Sequence, residues 1–463
     1  MIRMSGYDAQ FIYDEDQPNE PQHTLKISFL GKAASRRFSL AAARRDLAAR
    51  LPYIEPLNWR AVRVPLDLDH PVWVRAPVDL RWHVRRMAVP APGGHDELCE
   101  AISEILSRPL DRDRPLWEQW WLEGYEGGVV SVLKISHALA DGSASRRLME
   151  WVHGDRPVGD LPASSPEPLP SRRRLVVDAL RDRWRALRRG IPALVRATHR
   201  ARRRPAEPDA SPLSLLNAPR HPLSGPLSSR RAFHFFRVPL AEAQEIRRAL
   251  GGTVNDVVAA AVVGGVRRWL MERGALPGVP TVGGMPVSIR TAEEAEQWGN
   301  RVAAHFVRLP TQLSDPVERL QAVQQESARV KREAKRLGGA HLEDWIRWLG
   351  PGVAKAPGRL SRVFVRRGGR LPGIVSLTSV RGPGPDERWQ SAWGPVEHFA
   401  SVGHMKYSAG LNSTTWSYAG QLNFAFYACA RAVPDLPRLS AHVAAAFEEL
   451  RKCAARELAQ LAA

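Results

Sequence analysis

The sequence predicts a mixed α/β chain built as two layered halves, and three observations lead to it. Strand-like and helix-like segments alternate along both parts of the 463 residues. Proline and serine gather between Pro157 and Pro170, where that alternation stops. A long amphipathic helix follows the last strands. The expected division is an N-terminal domain at 1–165, a basic helical linker at 166–230 and a C-terminal domain at 231–463. An apolar content of 44% is enough for substantial cores.

Taken in order, Gln22 to Ile27 reads as the first strand. Ser39 to Leu51 reads as a helix, capped by Ser39 and striped by Leu40, Ala43 and Leu47. Trp59 to Val64 and Leu80 to Met87 read as strands, and His95 to Leu106 as a helix. The tryptophans of Pro115 to Gly124 read as core packing. In the second half, Ala232 to Val238 is expected as a strand and Ala241 to Leu250 as a helix. Gly251-Gly252 interrupts it, and a new helix opens at Thr253. Thr253 and Asp256 have capping-box spacing, so Asp256 reads first as a cap. Further strands are expected at Thr281 to Ile289, Asn300 to Leu309, Gly373 to Val380, Tyr407 to Leu411 and Gln421 to Cys429. Helices are expected at Val317 to Leu337 and Leu439 to Leu461.

The charge is uneven. Of the net +19, the segment Arg172 to Arg204 carries +11, with 13 Arg against Asp178 and Asp182. Val176, Leu180, Trp184, Leu187, Ile191 and Leu194 fall there at helical spacing, and Pro192 is expected to kink the helix. An Arg-rich amphipathic helix suits an anionic lipid surface. It suits slightly better a linker that lays its stripe on its own domains, since linker helices need a buried face too. RNA binding is the weaker reading, since no recognition motif accompanies the charge. Three cysteines form no CxxC pair, which points to a reducing cytosol. Met1 to Ser5 lacks the apolar core of a signal peptide. The longest apolar run, Val257 to Val266, is too short to span a bilayer. GxSxG, Walker, HExxH and GxGxxG motifs are absent, so serine hydrolase, nucleotide, zinc-hydrolase and dinucleotide chemistry lack support.

One stretch carries chemistry. Val129 to Ile135 reads as a buried strand that ends on Ser136-His137, with Asp141-Gly142 next and a helical Ser143 to Trp151 behind. Chance gives roughly 0.6 HxxxD pairs in such a chain but only about 0.05 followed by Gly. A neutral imidazole can take a proton from a hydroxyl near pH 7 and return it to a leaving group. Asp141 could fix the loop or bias the ring. The alternative is a satisfied strand-end histidine with an Asp capping the next helix. The local residues leave both open.

Further pieces resemble one family in order: Asp8-Ala9-Gln10-Phe11 with His23, Pro115-Leu116-Trp117 through Gly124, and His137 to Gly142. Asn255-Asp256, Pro286 to Arg290, Gly299-Asn300, Gly410-Leu411, Ser417-Tyr418 with Gly420, and Val433-Pro434-Asp435 follow. The chain resembles the bacterial wax ester synthase/acyl-CoA:diacylglycerol acyltransferases over nearly its whole length. The resemblance implies two chloramphenicol-acetyltransferase-like domains joined by a helical linker, with the active site in a tunnel between them. It implies transfer of a fatty acyl group from acyl-CoA, as co-substrate, to diacylglycerol or a long-chain alcohol, with no cofactor, no metal and no nucleic acid. His137 would be the catalytic base and Asp141 mainly structural. Gly142 completes the motif, Asn255 and Asp256 support the site, and Thr378 or Ser379 would supply an oxyanion donor. Two departures stand out. Ser136 replaces the first motif histidine, and Thr378 to Pro383, with Val380 and Arg381, lacks the Asn and first Pro of the family's turn. Rival readings are a non-catalytic acyl-lipid-binding relative, or an acyltransferase for a polyketide- or peptide-bound substrate. The expected location is the cytoplasm, peripherally on membrane or lipid bodies.

Overall fold

β-Branched and aromatic runs form two six-stranded sheets in the computed structural model, which describes all residues except 18, 155–163, 203–218, 295, 338–340, 368–373, 406–408 and 463. Apart from a separate three-stranded sheet of Ile2–Arg3, Val72–Arg75 and Trp59–Val62, the strands, in chain order, are β1 His23–Leu30, β2 Val84–Ala88, β3 Trp117–Tyr125, β4 Gly128–Ser136, β5 Arg231–Pro239 and β6 Thr281–Ser288. They continue with β7 Val302–Leu309, β8 Ile374–Arg381, β9 Gln390–Ser391, β10 Gly394–Val402, β11 Leu411–Tyr418 and β12 Gln421–Cys429. The helices that matter below are α1 Gly6–Asp14, α2 His95–Ser107, α3 Gly142–His153, α4 Arg172–Arg202, α5 Val254–Met271, α6 His341–Arg366 and α7 Leu436–Ala462.

The N-terminal sheet has the order β9-β10-β1-β4-β3-β2 and the C-terminal sheet β7-β6-β8-β11-β12-β5. β1 and β4 pair antiparallel with His23 opposite Ser136, so β4 delivers residue 137 to the very end of β1. β10 comes from residues 394–402 yet pairs antiparallel with β1, so the second half of the chain completes the first half's sheet. In the C-terminal sheet β8 runs parallel to both β6 and β11.

The two sheets share apolar packing. Leu25, Ile27, Val130 and Val132 of the first meet Phe233, Phe235 and Tyr427 of the second in one buried cluster. Helix α2 lies along the outer edge of β5, and the amides of Arg231 and Phe233 donate to Ser107 Oγ and Ser103 Oγ, each at 2.9 Å. A four-residue advance on a helix, about 6 Å, matches a two-residue advance on a strand, which is why serines spaced by four can cover that edge.

Sequence and structure part at identifiable places. Leu80 to Met87 was expected to be all strand, but Leu80–His83 is a helical turn and β2 starts at Val84. Asp79 accepts the amide of Arg81 at 2.9 Å, and that cap starts the turn. Tyr407, the expected start of a strand, lies outside the described residues; the strand itself runs from Leu411 to Tyr418. The helix expected over Arg172 to Arg204 is α4, with Pro192 inside it. Among its described side chains Leu175 and Ala179 are buried, while Leu180 and Trp184 of the expected stripe are 56% and 63% exposed. The apolar helix α5 is buried against α7, and among the described residues no single helix is long and apolar enough to cross a membrane.

Candidate active site

His137 sits in the turn between β4 and α3, and neighbours from three parts of the chain hold it. Its amide donates to Gln22 O at 2.8 Å, and its carbonyl accepts from Asn300 Nδ2 at 2.7 Å. The imidazole stacks on Phe11 of α1, with centroids 4.6 Å apart and planes 10° apart. His404, just beyond β10, meets both rings edge-on, 4.4 Å from His137 and 5.0 Å from Phe11. Ring pairs of this kind contribute about 0.5–1.5 kcal/mol beyond burial, enough to select a ring orientation.

α1 is itself anchored to the second half. Ser5 Oγ caps α1 by accepting the amide of Asp8 and donates to Asp8 Oδ2. Asp8 Oδ1 accepts both the amide and the side-chain nitrogen of Asn300, at 3.1 and 2.7 Å. Gly299 precedes that contact with φ +85°, and a Cβ there would fall 3.0 Å from Asp8 Oδ2. Left-handed backbone and close approach together favour glycine at this position. One asparagine thus bridges the helix that carries Phe11 and the turn that carries His137.

Asp141 is buried and its carboxylate is fully engaged. Oδ1 accepts the amide of Ala144 and the hydroxyl of Ser143, each at 2.8 Å, which caps α3. Oδ2 accepts Arg290 Nη2 at 2.8 Å and the amide of Arg301 at 2.9 Å. Burial raises the carboxyl pKa, but the Ala144 amide and the Arg290 guanidinium outweigh it and hold the group below its ordinary value. Arg290 also donates to the carbonyls of Glu294, Gln297 and Gly299, so the same cation folds the loop that ends at Asn300. The HxxxDG turn is therefore clamped to the second half by a buried ion pair.

The remaining expected residues are linked to this turn through β8. A Cβ on Gly142 would come 3.1 Å from a methyl of Val380, so β8 abuts the start of α3. Thr378 and Ser379 precede Val380 on β8, and Ser379 Oγ donates to Asn255 Oδ1 at 2.8 Å. Asp256 completes a capping box with Thr253, accepting its amide at 2.9 Å and its hydroxyl at 2.7 Å. Ser136 is buried at the end of β4, with its amide on Leu116 O.

Two neighbours had no signal of their own in the sequence. His404 stands alone between strands, with no patterned partner. Lys26, on β1, is 4% exposed, donates to Ser401 Oγ at 3.0 Å and lies 5.7 Å from the ring of Trp416. Burial pushes its ammonium down to about 7, opposed by the charge of Asp141. Phe11, Arg290 and Asn300 all stood within the pieces that carried the family resemblance, although spacing alone gave them no role.

Two facing mixed sheets with an HxxxDG turn clamped at their seam define the class: a two-domain acyltransferase scaffold. The wax ester synthase/diacylglycerol acyltransferase catalytic domain matches residues 4–258, and the WS/DGAT C-terminal domain matches 298–451. A Mycobacterium tuberculosis H37Rv protein carrying the provisional name diacylglycerol O-acyltransferase is 34% identical, over 98% of this chain and 97% of its own. The wax ester synthase/diacylglycerol acyltransferase structure from Marinobacter aquaeolei VT8 superposes with a TM-score of 0.65 at 22% identity, covering 98% of this chain and 100% of that one. The first condensation domain of the calcium-dependent antibiotic synthetase shares the fold at a TM-score of 0.58 and 16% identity, covering 98% and 97%. The chain belongs to the wax ester synthase/diacylglycerol acyltransferase family and is an acyltransferase.

Proposed function

We propose that this enzyme moves a fatty acyl group from acyl-CoA to the hydroxyl of diacylglycerol or a long-chain alcohol, with His137 as general base. The observation that carries this reading is the placement of the His137 ring. It is held between Phe11 and His404 on a turn pinned by Gln22 and Asn300, where the two sheets meet. The imidazole takes the hydroxyl proton as the oxygen attacks the thioester carbonyl. The tetrahedral oxyanion then collapses, the C–S bond breaks, and the imidazolium returns its proton to the coenzyme A sulfur. No covalent enzyme intermediate is needed. Asp141 acts as a positioning residue through Arg290 and the cap of α3. The Ser379 hydroxyl is committed to Asn255, so Thr378 is the oxyanion donor we assign.

Domain boundaries at 1–165, 166–230 and 231–463 belong to the same proposal, with β10 returned to the first sheet. So does peripheral attachment to an anionic membrane or lipid-body surface. Its support is an exposed apolar set on two packed helices: Val177, Leu180 and Trp184 of α4, and Val353, Leu360, Val363 and Phe364 of α6. Exposed arginines 181, 185 and 188 flank it on α4.

The test is coenzyme A release from long-chain acyl-CoA with a panel of alcohols and diacylglycerol. Release that depends on added acceptor is expected, and His137→Gln should cut it about 10²–10⁴-fold with an unchanged melting temperature. Release without acceptor, or a variant within a few-fold of wild type, overturns the assignment.

A further inference from the structure

On the far side of the seam from His137, three metal-binding side chains converge. His95 opens α2, Cys99 follows one turn later, and His234 comes from β5 of the other sheet. One ligand atom from each lies within 4.8 Å of the other two, and Cys99 Sγ is 3.5 Å from His95 Nε2. We propose that His95, Cys99 and His234 form a zinc site that ties α2 to the edge of the C-terminal sheet.

The spacing suits the ion. Zinc holds sulfur at about 2.3 Å and imidazole nitrogen at about 2.0–2.1 Å, so a tetrahedral S–Zn–N pair stands about 3.6 Å apart. The His95–Cys99 distance already meets this, and His234 needs only a small ring movement to join. His234 Nδ1 is buried, and among the described residues no hydrogen-bond partner reaches it. A buried imidazole nitrogen with nothing to bind is costly, and a metal removes that cost. The backbone of Phe235 runs beside both Cys99 and His95, so β5 borders the two ligands from the C-terminal sheet.

The surroundings fit as well. Cys99 is buried, while His95 and His234 are half-buried, so the ion has a path from solvent. The Phe235 ring lies tilted against His95, with centroids 4.5 Å apart, and covers one side of it. Asp96 and Glu126 put negative charge near His95, and Arg237 opposes them. Among the described residues no fourth His, Cys, Asp or Glu joins the group, so water takes the last position. Binding replaces the Cys99 S–H bond with an S–Zn bond and releases one proton to solvent; nothing is oxidised or reduced.

The site is independent of the acyl-transfer chemistry. The other end of α2 lies near His137, because Leu106 O binds His23 and His23 pairs with Ser136. His95 and Leu106 are eleven residues apart on the helix, about 16 Å at 1.5 Å per residue. At its own end the ion would extend the line of contacts that Ser103 and Ser107 make with β5. Its role is then to fix how the two halves sit, not to touch substrate.

The experiment uses the full chain, stripped with a chelator and titrated with cobalt(II) and zinc(II). One equivalent of metal, about one proton released per metal, a thiolate-to-cobalt charge-transfer band and a metal-dependent rise in Tm are expected. Cys99→Ala should abolish the band, and His95→Ala and His234→Gln should each weaken binding at least about tenfold. Cys453→Ser should change nothing. His95 is half-exposed in the first turn of its helix, so its variant decides the matter even if Cys99→Ala fails to fold. Uptake below about a tenth of an equivalent overturns the site. So does a charge-transfer band that survives Cys99→Ala, or binding unchanged in His95→Ala.

Discussion

Breaking the Asp141–Arg290 pair should cost stability far more than chemistry, and the cost should be shared between the two residues. Their side chains are 2% and 6% exposed, with the closest atoms 2.8 Å apart. Removing one partner of such a pair leaves the other charge buried, at about 3–5 kcal/mol. Asp141→Asn also turns an amide N–H toward Arg290 and the Arg301 amide, two donors that had met an acceptor. Arg290→Met leaves Asp141 charged with only amide and hydroxyl partners and releases the 290–300 loop. The double variant leaves neither charge stranded, so it should fall short of the summed single losses by about 2 kcal/mol or more. Guanidinium unfolding of the four proteins, followed by tryptophan fluorescence, measures the cycle. Additivity within about 0.5 kcal/mol would refute the clamp. The pH sign follows from the depressed Asp141 value. Its stabilisation is present above the ordinary carboxyl range near pH 4 and is lost as pH falls through the lower folded value. The acid limb of wild type should therefore be steeper than that of Asp141→Asn.

Three other outcomes are expected. Lys26→Met should raise Tm most at pH 7 and below, where the buried ammonium is held charged. With a folded value of about 7 against 10.5, its advantage should shrink between those pH values by at most about 5 kcal/mol; an advantage that grows with pH would contradict the burial argument. Gly265→Ala should lower stability by about 1–3 kcal/mol in chemical denaturation, because its Cβ would fall 2.6 Å from the backbone nitrogen of Val443. A gain would mean that α5 and α7 are not in that contact. Wild type should co-sediment with anionic vesicles at low salt, less at high salt, and less again with Gln at Arg181, Arg185, Arg188 and Arg189 or Ser at Trp184 and Phe364. Equal sedimentation of all variants would count against the α4–α6 surface.

Short-range physics was legible in the sequence. The Thr253–Asp256 box, the strand from Val129 to Ser136 and the turn carrying His137 and Asp141 depend on neighbours within a few residues, and each has the expected form. The helical turn at Leu80–His83 shows the limit, since one Asp79 cap overrode a strand-like run. Everything around the His137 ring came from distance in the chain. Phe11 lies 126 positions before it and His404 267 after, and neither carries a local pattern that announces a histidine partner. Arg290 and Asn300 stand at the ends of expected strands with no local partner until the fold brings them to Asp141 and Asp8. β10 has strand-like residues but no sign of which sheet it joins, because pairing depends on which edge is left open. Lys26 has no buried partner legible in its own segment; the fold sets it beside Ser401 of β10 and near the Trp416 ring of β11, where it is buried. The α4 stripe reads from periodicity alone, yet whether it faces protein or solvent depends on what packs there, and the structure leaves Leu180 and Trp184 to solvent. Periodicity and capping act within a turn or two and survive translation into sequence. The neighbourhood of His137 is an intersection of distant segments, and only the folded chain decides it.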